Sequence, residues 1–76
     1  MVQAYILIQT EVGRAAEVAA AVGALHGVLD ADDVTGPYDV IAKAEAPHMD
    51  DLGGLIVRVQ ALPGITRTLT CPIVHL

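Results

Sequence analysis

The chain is 76 residues long, 54% hydrophobic, and carries a net charge of −5 at pH 7; we expect a single domain, residues 1–76, with more apolar surface than one small core hides. Its basic residues are scattered, which argues against binding of nucleic acid or an anionic membrane surface: Arg14, Lys43, Arg58 and Arg67. Neither a membrane-spanning stretch nor a signal peptide is evident, so we expect a cytoplasmic protein.

The first half of the chain predicts a strand, a helix and a strand, at residues 2–10, 14–25 and 28–34. The first strand is apolar on both faces, with Tyr5 and Leu7 on the face opposite Ile6, which predicts a central position in the sheet. Gly27 follows the helical pattern and is the predicted C-cap.

The second half predicts the same order, with strands at residues 38–45 and 65–76 and a helix at residues 47–62. The gap at residues 35–37 is so short that only a hairpin fits between the second and third strands. Pro47 is predicted to open the helix, because a first-turn N–H would be unpaired there anyway. Pro72 places its part of the last strand at an edge or a bulge.

The two halves repeat at a spacing of 37 residues, where the segments 24–28 and 61–65 both read Leu-x-Gly followed by a β-branched residue. With right-handed crossovers, the order predicts an α+β, ferredoxin-like βαββαβ sandwich: a four-stranded antiparallel sheet with two helices on one face. The other face, with Tyr5 and Leu7, would be apolar and bare. We therefore expect sheet-to-sheet dimers that assemble further.

No pattern in the sequence predicts a catalytic centre, a metal site or a cofactor. The histidines share no metal-ligand spacing: His26, His48 and His75. Cys71 has no base near it in the pattern, and we expect a small buried apolar residue. Acids cluster on the second strand, where we expect them to protect an exposed edge: Asp30, Asp32 and Asp33.

Asp39 follows the predicted hairpin, and two hypotheses for its side chain stay open. The carboxylate could bond nearby backbone amides and shape the turn, although Gly36 and Pro37 already supply turn residues. Alternatively, it could accept an ammonium group or backbone amides from a ligand or a neighbouring subunit.

Two segments resemble the effector-binding domain of the leucine-responsive/AsnC family of transcription regulators. They are Val-Thr-Gly-Pro-Tyr-Asp-Val at residues 34–40 and Leu-Pro-Gly-Ile-x-Arg-Thr-x-Thr at residues 62–70. The resemblance covers essentially the whole chain. No helix-turn-helix precedes Met1, so the chain resembles the stand-alone members of the family. Pro37 departs from the pattern, in which an acidic or polar residue is common.

The resemblance implies homodimers that pair through their sheets and assemble into rings, often octamers. It also implies that a small effector, typically an amino acid, binds between dimers beside the hairpin. The implied ligand-binding residues are Gly36, Tyr38, Asp39, Thr68 and Thr70. Asp39 would pair with an ammonium group, amides near Gly36 would bind a carboxylate, and the threonine hydroxyls would complete the polar set.

The leading hypothesis is therefore an amino-acid-binding, oligomerising regulatory domain with no catalysis and no direct contact with DNA. It would act by joining a DNA-binding relative in a mixed oligomer. One alternative is a small dimeric ferredoxin-like enzyme of the oxygenase or isomerase type, although the sequence offers no acid/base pair for it. Another is a purely structural oligomer.

Overall fold

The computed structural model describes residues 1–74 and contains the six predicted elements in the predicted order. They are β1 (Val2–Thr10), α1 (Ala15–Gly23), β2 (Val28–Asp33), β3 (Val40–Ala46), α2 (Met49–Gln60) and β4 (Ile65–Pro72). The strands form one sheet in the order β2-β3-β1-β4, with every neighbouring pair antiparallel. This is the ferredoxin-like βαββαβ sandwich, and β1 is a central strand as predicted.

The core lies between the two helices and one face of the sheet. The sheet contributes alternate residues of the central strands, and both helices contribute an aliphatic stripe: Ala4, Ile6, Ile8, Val40, Ala42, Ala44, Val18, Val22, Leu52, Leu55 and Val59. All of these side chains are almost completely buried. Alanines at the middle of the sheet leave room for the helices to pack closely, so a core without Phe or Trp is filled.

The opposite face of the sheet is uncovered in this chain, as the sequence predicts. The strand register places Ile41 and Leu69 on either side of Leu7. Tyr5 is 43% exposed, Ile41 36% and Leu69 44%. The prediction that Cys71 is buried is wrong: it is paired with Tyr5 on this face and is exposed. An apolar pattern identified β4, but it could not tell which of its faces a helix covers.

Two predictions for the helix ends are wrong. α1 ends at Gly23 with Ala24 as its C-cap, so Gly27 is not the cap. Gly27 instead lies in the turn before β2, where the N–H of Val28 donates to the carbonyl of Leu25 at 3.2 Å. α2 begins at Met49, and its N-cap residue is His48 in an extended conformation. Pro47 therefore lies one residue before the N-cap and does not open the helix.

β1 has the predicted bounds, whereas β2, β3 and β4 are shorter than predicted; the predicted edge positions are confirmed. β2 ends at Asp33, β3 begins at Val40 and β4 ends at Pro72. β2 and β4 are the two edge strands, as the acidic cluster and the proline indicate. The last predicted strand residues, His75 and Leu76, lie outside the described residues. Within residues 1–74, no helix has the length and apolarity needed to cross a membrane.

The internal repeat corresponds to a symmetric contact between the halves. Gly27 and Gly64 have left-handed φ values of +98° and +93°. A Cβ at Gly27 would lie 3.2 Å from a methyl carbon of Leu55, and a Cβ at Gly64 would lie 3.1 Å from a methyl carbon of Val18. Leu55 and Val18 are themselves related by the spacing of 37 residues. The turn of each half thus packs closely on the helix of the other.

Candidate functional site

The hairpin loop between β2 and β3 is fastened to the end of β1. The N–H of Val34 donates to the carbonyl of Asp39 at 2.8 Å, which closes the loop. The N–H of Asp39 donates to the carbonyl of Ile8 at 2.9 Å. The side-chain amide of Gln9 donates to the carbonyl of Pro37 at 3.1 Å. One hydrogen bond therefore closes the loop, and two others hold it to the end of β1.

The carboxylate of Asp39 bonds the neighbouring strand and not its own turn. Its Oδ2 accepts a hydrogen bond of 2.8 Å from the backbone N–H of Thr10. The hydroxyl of Thr10 lies 3.4 Å from the same oxygen. The pairing of β1 with β4 shifts register between Gln9 and Thr10, and a carboxylate is a strong acceptor for an amide at such an irregularity. The backbone amide that Asp39 bonds thus belongs to another strand and not to its own turn.

The apex of the loop is open to solvent. Gly36 is exposed, and a Cβ added there would contact no atom within 4 Å. Tyr38 is half-buried. A molecule that approached the loop would therefore meet accessible backbone at Gly36 without displacing any side chain.

Thr68 and Thr70 lie on β4, on the face of the sheet that the helices cover. They are paired with Ile8 and Ile6 and are half-buried. The side-chain amide of Gln60, the last residue of α2, donates to the hydroxyl of Thr68 at 3.0 Å. Because β1 separates β4 from β3, the Cα atoms of Thr68 and Val40 are about 10 Å apart, two strand spacings. One chain therefore does not bring the threonines into contact with Asp39.

An ion-pair cluster lies beside the turn before β4, at the same end of the sheet. Arg14 donates to the carboxylate of Glu17 at 2.8 Å and lies 3.6 Å from that of Glu11. The hydrogen bond and the charge of Arg14 lower the pKa of Glu17, and the same contacts raise the pKa of Arg14. The N–H of Glu11 donates to the carbonyl of Gly64 at 2.8 Å. That backbone hydrogen bond ties the β1–α1 loop to the turn before β4.

Two clefts of the chain lie elsewhere. One, of about 390 Å³, lies beside the start of α2 and the turn before β2. The other, of about 290 Å³, lies on the uncovered face and includes Tyr5, Ile41 and Lys43. None of the five predicted ligand-binding residues lines either cleft. In the part of the chain that the structure describes, no three of its His, Cys, Asp and Glu side chains are grouped to hold a metal ion.

Gln9 and Thr10 were missed as partners of the hairpin. They lie 28 and 29 residues from the groups that they bond, and both occur in a segment that reads only as the end of a strand. Nothing in the sequence around Gln9 and Thr10 indicates that they bond the hairpin loop. Only the pairing of β1 with β3 brings them to the loop.

The family model described as the Lrp/AsnC ligand-binding domain matches residues 3–75. Among curated proteins, the HTH-type transcriptional regulator FL11 of Pyrococcus abyssi is 28% identical over 67 residues, which is 88% of this chain and 44% of that regulator. The chain thus spans less than half the length of this relative. A homocitrate synthase of Sulfurisphaera tokodaii is 33% identical over 46 residues, 60% of this chain and 10% of the enzyme.

Solved structures agree in fold over at least 97% of this chain. A protein of Thermus thermophilus has a TM-score of 0.93 at 27% identity. The match covers 100% of this chain and 96% of the Thermus protein. The crystal structure of FFRP-DM1 has a TM-score of 0.91 at 35% identity. The match covers 97% of this chain and 100% of FFRP-DM1. A transcriptional regulator of Neisseria meningitidis solved with L-Met has a TM-score of 0.84 at 21% identity. The match covers 97% of this chain and 50% of the regulator. The family match and the shared fold together show that this chain belongs to the Lrp/AsnC ligand-binding domain family.

Proposed function

We propose that this chain is an oligomerising regulatory domain that binds an amino acid or a related small effector, without catalysis and without direct contact with DNA. Membership of a ligand-binding family supports the binding role, and the matched FL11 protein is a transcriptional regulator. Scattered cations support an indirect action on transcription, through a DNA-binding relative in a mixed oligomer.

The observation that carries the proposal is the uncovered apolar face of the sheet. Tyr5, Ile41 and Leu69 are together exposed there around Leu7. A stable interface covers about 800 Å² per partner, roughly a sixth of the 4577 Å² surface of this chain. A small domain with no disulfide gains stability by burying such a face. The occupant that we propose is the same face of a second copy.

We propose that the effector binds where the hairpins of neighbouring dimers meet, with the dimers assembled as a ring, an octamer in the first instance. The proposed contacts are Gly36, Tyr38, Asp39, Thr68 and Thr70. The hairpin residues are separated from the threonines by β1 and line no cleft in one chain, so a second dimer must supply the missing walls. Oδ2 of Asp39 is bonded to Thr10, which leaves the other oxygen for an ammonium group. A regulator of the same fold solved with L-Met supports an amino acid as the ligand class.

The enzyme alternative has weaker support. The matched segment is a tenth of homocitrate synthase, too small a part to carry a reaction chemistry to this chain. A purely structural oligomer is the stronger rival, because it needs the same interfaces without the effector.

A thermal-shift screen against the common amino acids, combined with native mass spectrometry, tests the proposal. We expect an oligomer of at least two chains and a rise in melting temperature with one or a few amino acids. Thr70→Val should reduce that rise, because it removes a proposed hydroxyl contact and keeps the side-chain shape. The control is Thr66→Val, at an exposed position on the same strand. A flat screen with an intact oligomer would favour the structural rival, and turnover of a substrate would favour the enzyme.

A further inference from the structure

The uncovered face of the sheet is acidic at one edge and apolar at the other. The strand register arranges its residues in two rows that cross β2, β3, β1 and β4 in turn: one row is Asp30, Lys43, Tyr5 and Cys71, and the next is Asp32, Ile41, Leu7 and Leu69. Both of these acids of β2 are exposed, and Arg67 is the one charged residue of β4. A chain that covers this face therefore meets these carboxylates along one edge only.

The acidic edge also carries a recess. The cleft of about 290 Å³ is lined by residues of the three strands nearest that edge: Tyr5, Asp30, Asp32, Ile41, Ala42 and Lys43. Leu69, in the row of Asp32, is 44% exposed at the other edge and lines neither cleft. The face thus offers a recess beside β2 and an exposed apolar side chain on β4.

Two aligned sheets that pack face to face around a twofold axis have two arrangements. The axis lies between the sheets and runs either across the strands or along them. Across the strands, β2 of each copy lies over β2 of the other, so Asp30 and Asp32 of both copies crowd one edge. Along the strands, and midway between β3 and β1, the axis places β2 over β4 of the second copy. Only this second arrangement separates the acids, and like charges that face each other across an interface oppose binding.

We propose that the axis runs along the strands, so that the β4 edge of a second copy fills the recess beside Asp30 and Asp32. This arrangement rests on the proposed function, which supplies the dimer. The axis keeps each residue at its own height along the strands, so Cys71 of the second copy lies near Asp30, and Leu69 of the second copy packs against Ile41. The carboxylates stay at the rim, in contact with water. Position 71 thereby determines partner choice, because a copy or a relative with an acid there binds poorly.

Cross-linking with a short bis-maleimide tests the arrangement, because Cys71 is the only cysteine of the chain. Facing sheets lie about 10 Å apart, a gap that such a reagent spans. Asp32→Cys should give a covalent dimer through Cys71 of the second copy, and adding Cys71→Ser should abolish it. Asp33→Cys is the matched control, because Asp33 pairs with the buried Val40 on the other side of the sheet. It should give no more covalent dimer than the parent, whose two cysteines lie at opposite edges.

A second experiment asks whether position 71 senses the acids of β2 across the interface. Cys71→Asp should raise the dissociation constant of the dimer about fivefold to tenfold over Cys71→Asn, a variant of the same shape, because the repulsion occurs twice in a twofold dimer. Adding Asp30→Asn and Asp32→Asn to both variants should remove that difference. Within one chain, position 71 is three strand spacings from Asp30, about 14 Å, a distance at which about 0.15 M salt largely screens the interaction. Sedimentation velocity over a dilution series measures all four variants.

The outcomes separate this arrangement from the proposed function. A covalent dimer of Asp32→Cys that persists with Cys71→Ser would place the axis across the strands and overturn this arrangement alone. So would a Cys71→Asp penalty that remains without the acids of β2, or a dimer that lacks either the cross-link or the penalty. A parent chain that is monomeric by sedimentation would overturn the arrangement and the proposed function together.

Discussion

The Asp39 carboxylate accepts a hydrogen bond of 2.8 Å from the backbone N–H of Thr10, at the point where the register of β1 against β4 shifts. The hairpin and the end of β1 are therefore joined by a charged acceptor as well as by main-chain bonds. A ligand that bound Asp39 would act on the end of a central strand. This contact connects the proposed effector site to the sheet that we expect to form the dimer interface.

Asp39→Ala should destabilise the chain by about 1–2 kcal/mol, because the amide of Thr10 loses a charged acceptor in a partly buried position. Asp39→Asn should cost less, since the amide oxygen of asparagine still accepts. Urea denaturation at one fixed protein concentration measures the difference. Asp33→Ala is the matched control at an exposed acid of β2, with an expected change within about 0.5 kcal/mol. Equal losses at the two positions would contradict a specific role for the bond.

Glycine substitutions should have opposite signs at two positions. Gly64→Ala should cost at least about 1–2 kcal/mol, because φ is +93° and the new Cβ would lie 3.1 Å from Val18 and Arg14. Gly53→Ala lies in α2 with open space around it and should stabilise by up to about 1 kcal/mol through helix propensity. Thermal unfolding of both variants measures this contrast. A neutral Gly64→Ala would mean that the turn relaxes at little cost.

Glu17→Gln should change the pH dependence of stability. The pKa of Glu17 is lowered from its ordinary value of 4.5 by Arg14, so its contribution is present above pH 4.5 and is lost as the pH falls through the lower folded-state value. The melting temperature of the parent should exceed that of the variant at neutral pH, and the gap should close below pH 4.5. Glu17 is exposed and Arg14 is half-buried, so added salt should narrow the gap at neutral pH. A gap that persists in acid would rule out this ion pair as its source.

Leu69→Lys should weaken self-association if the uncovered face is the dimer interface. A lysine there would place an ammonium group within the contact, and the dissociation constant should rise about tenfold or more. Sedimentation velocity over a dilution series measures it. Val57→Lys is the control, because Val57 is 65% exposed on α2, away from that face. Equal association of the two variants would place the interface elsewhere on the chain.

The sequence was sufficient for the order of elements and for the faces of β1. Period-two alternation separates Ile6 and Ile8 from Tyr5 and Leu7 whatever the rest of the chain does, since successive strand residues point to opposite sides. Gly27 and Gly64 could likewise be identified as paired turns, because both follow a helical pattern that ends in leucine. These features depend on a few neighbouring residues, so a local pattern records them.

Tertiary structure alone decided which groups meet across those elements. The bond from Thr10 to Asp39 spans 29 residues and requires a register shift that no pattern in β1 announces. Cys71 is exposed because its side of β4 faces away from both helices. Arg14 lies against Gly64 while the cleft beside Asp51 is open, a difference in side-chain packing that no local pattern records. Local periodicity encodes which side of an element is apolar, whereas partners depend on register and on the packing of distant segments.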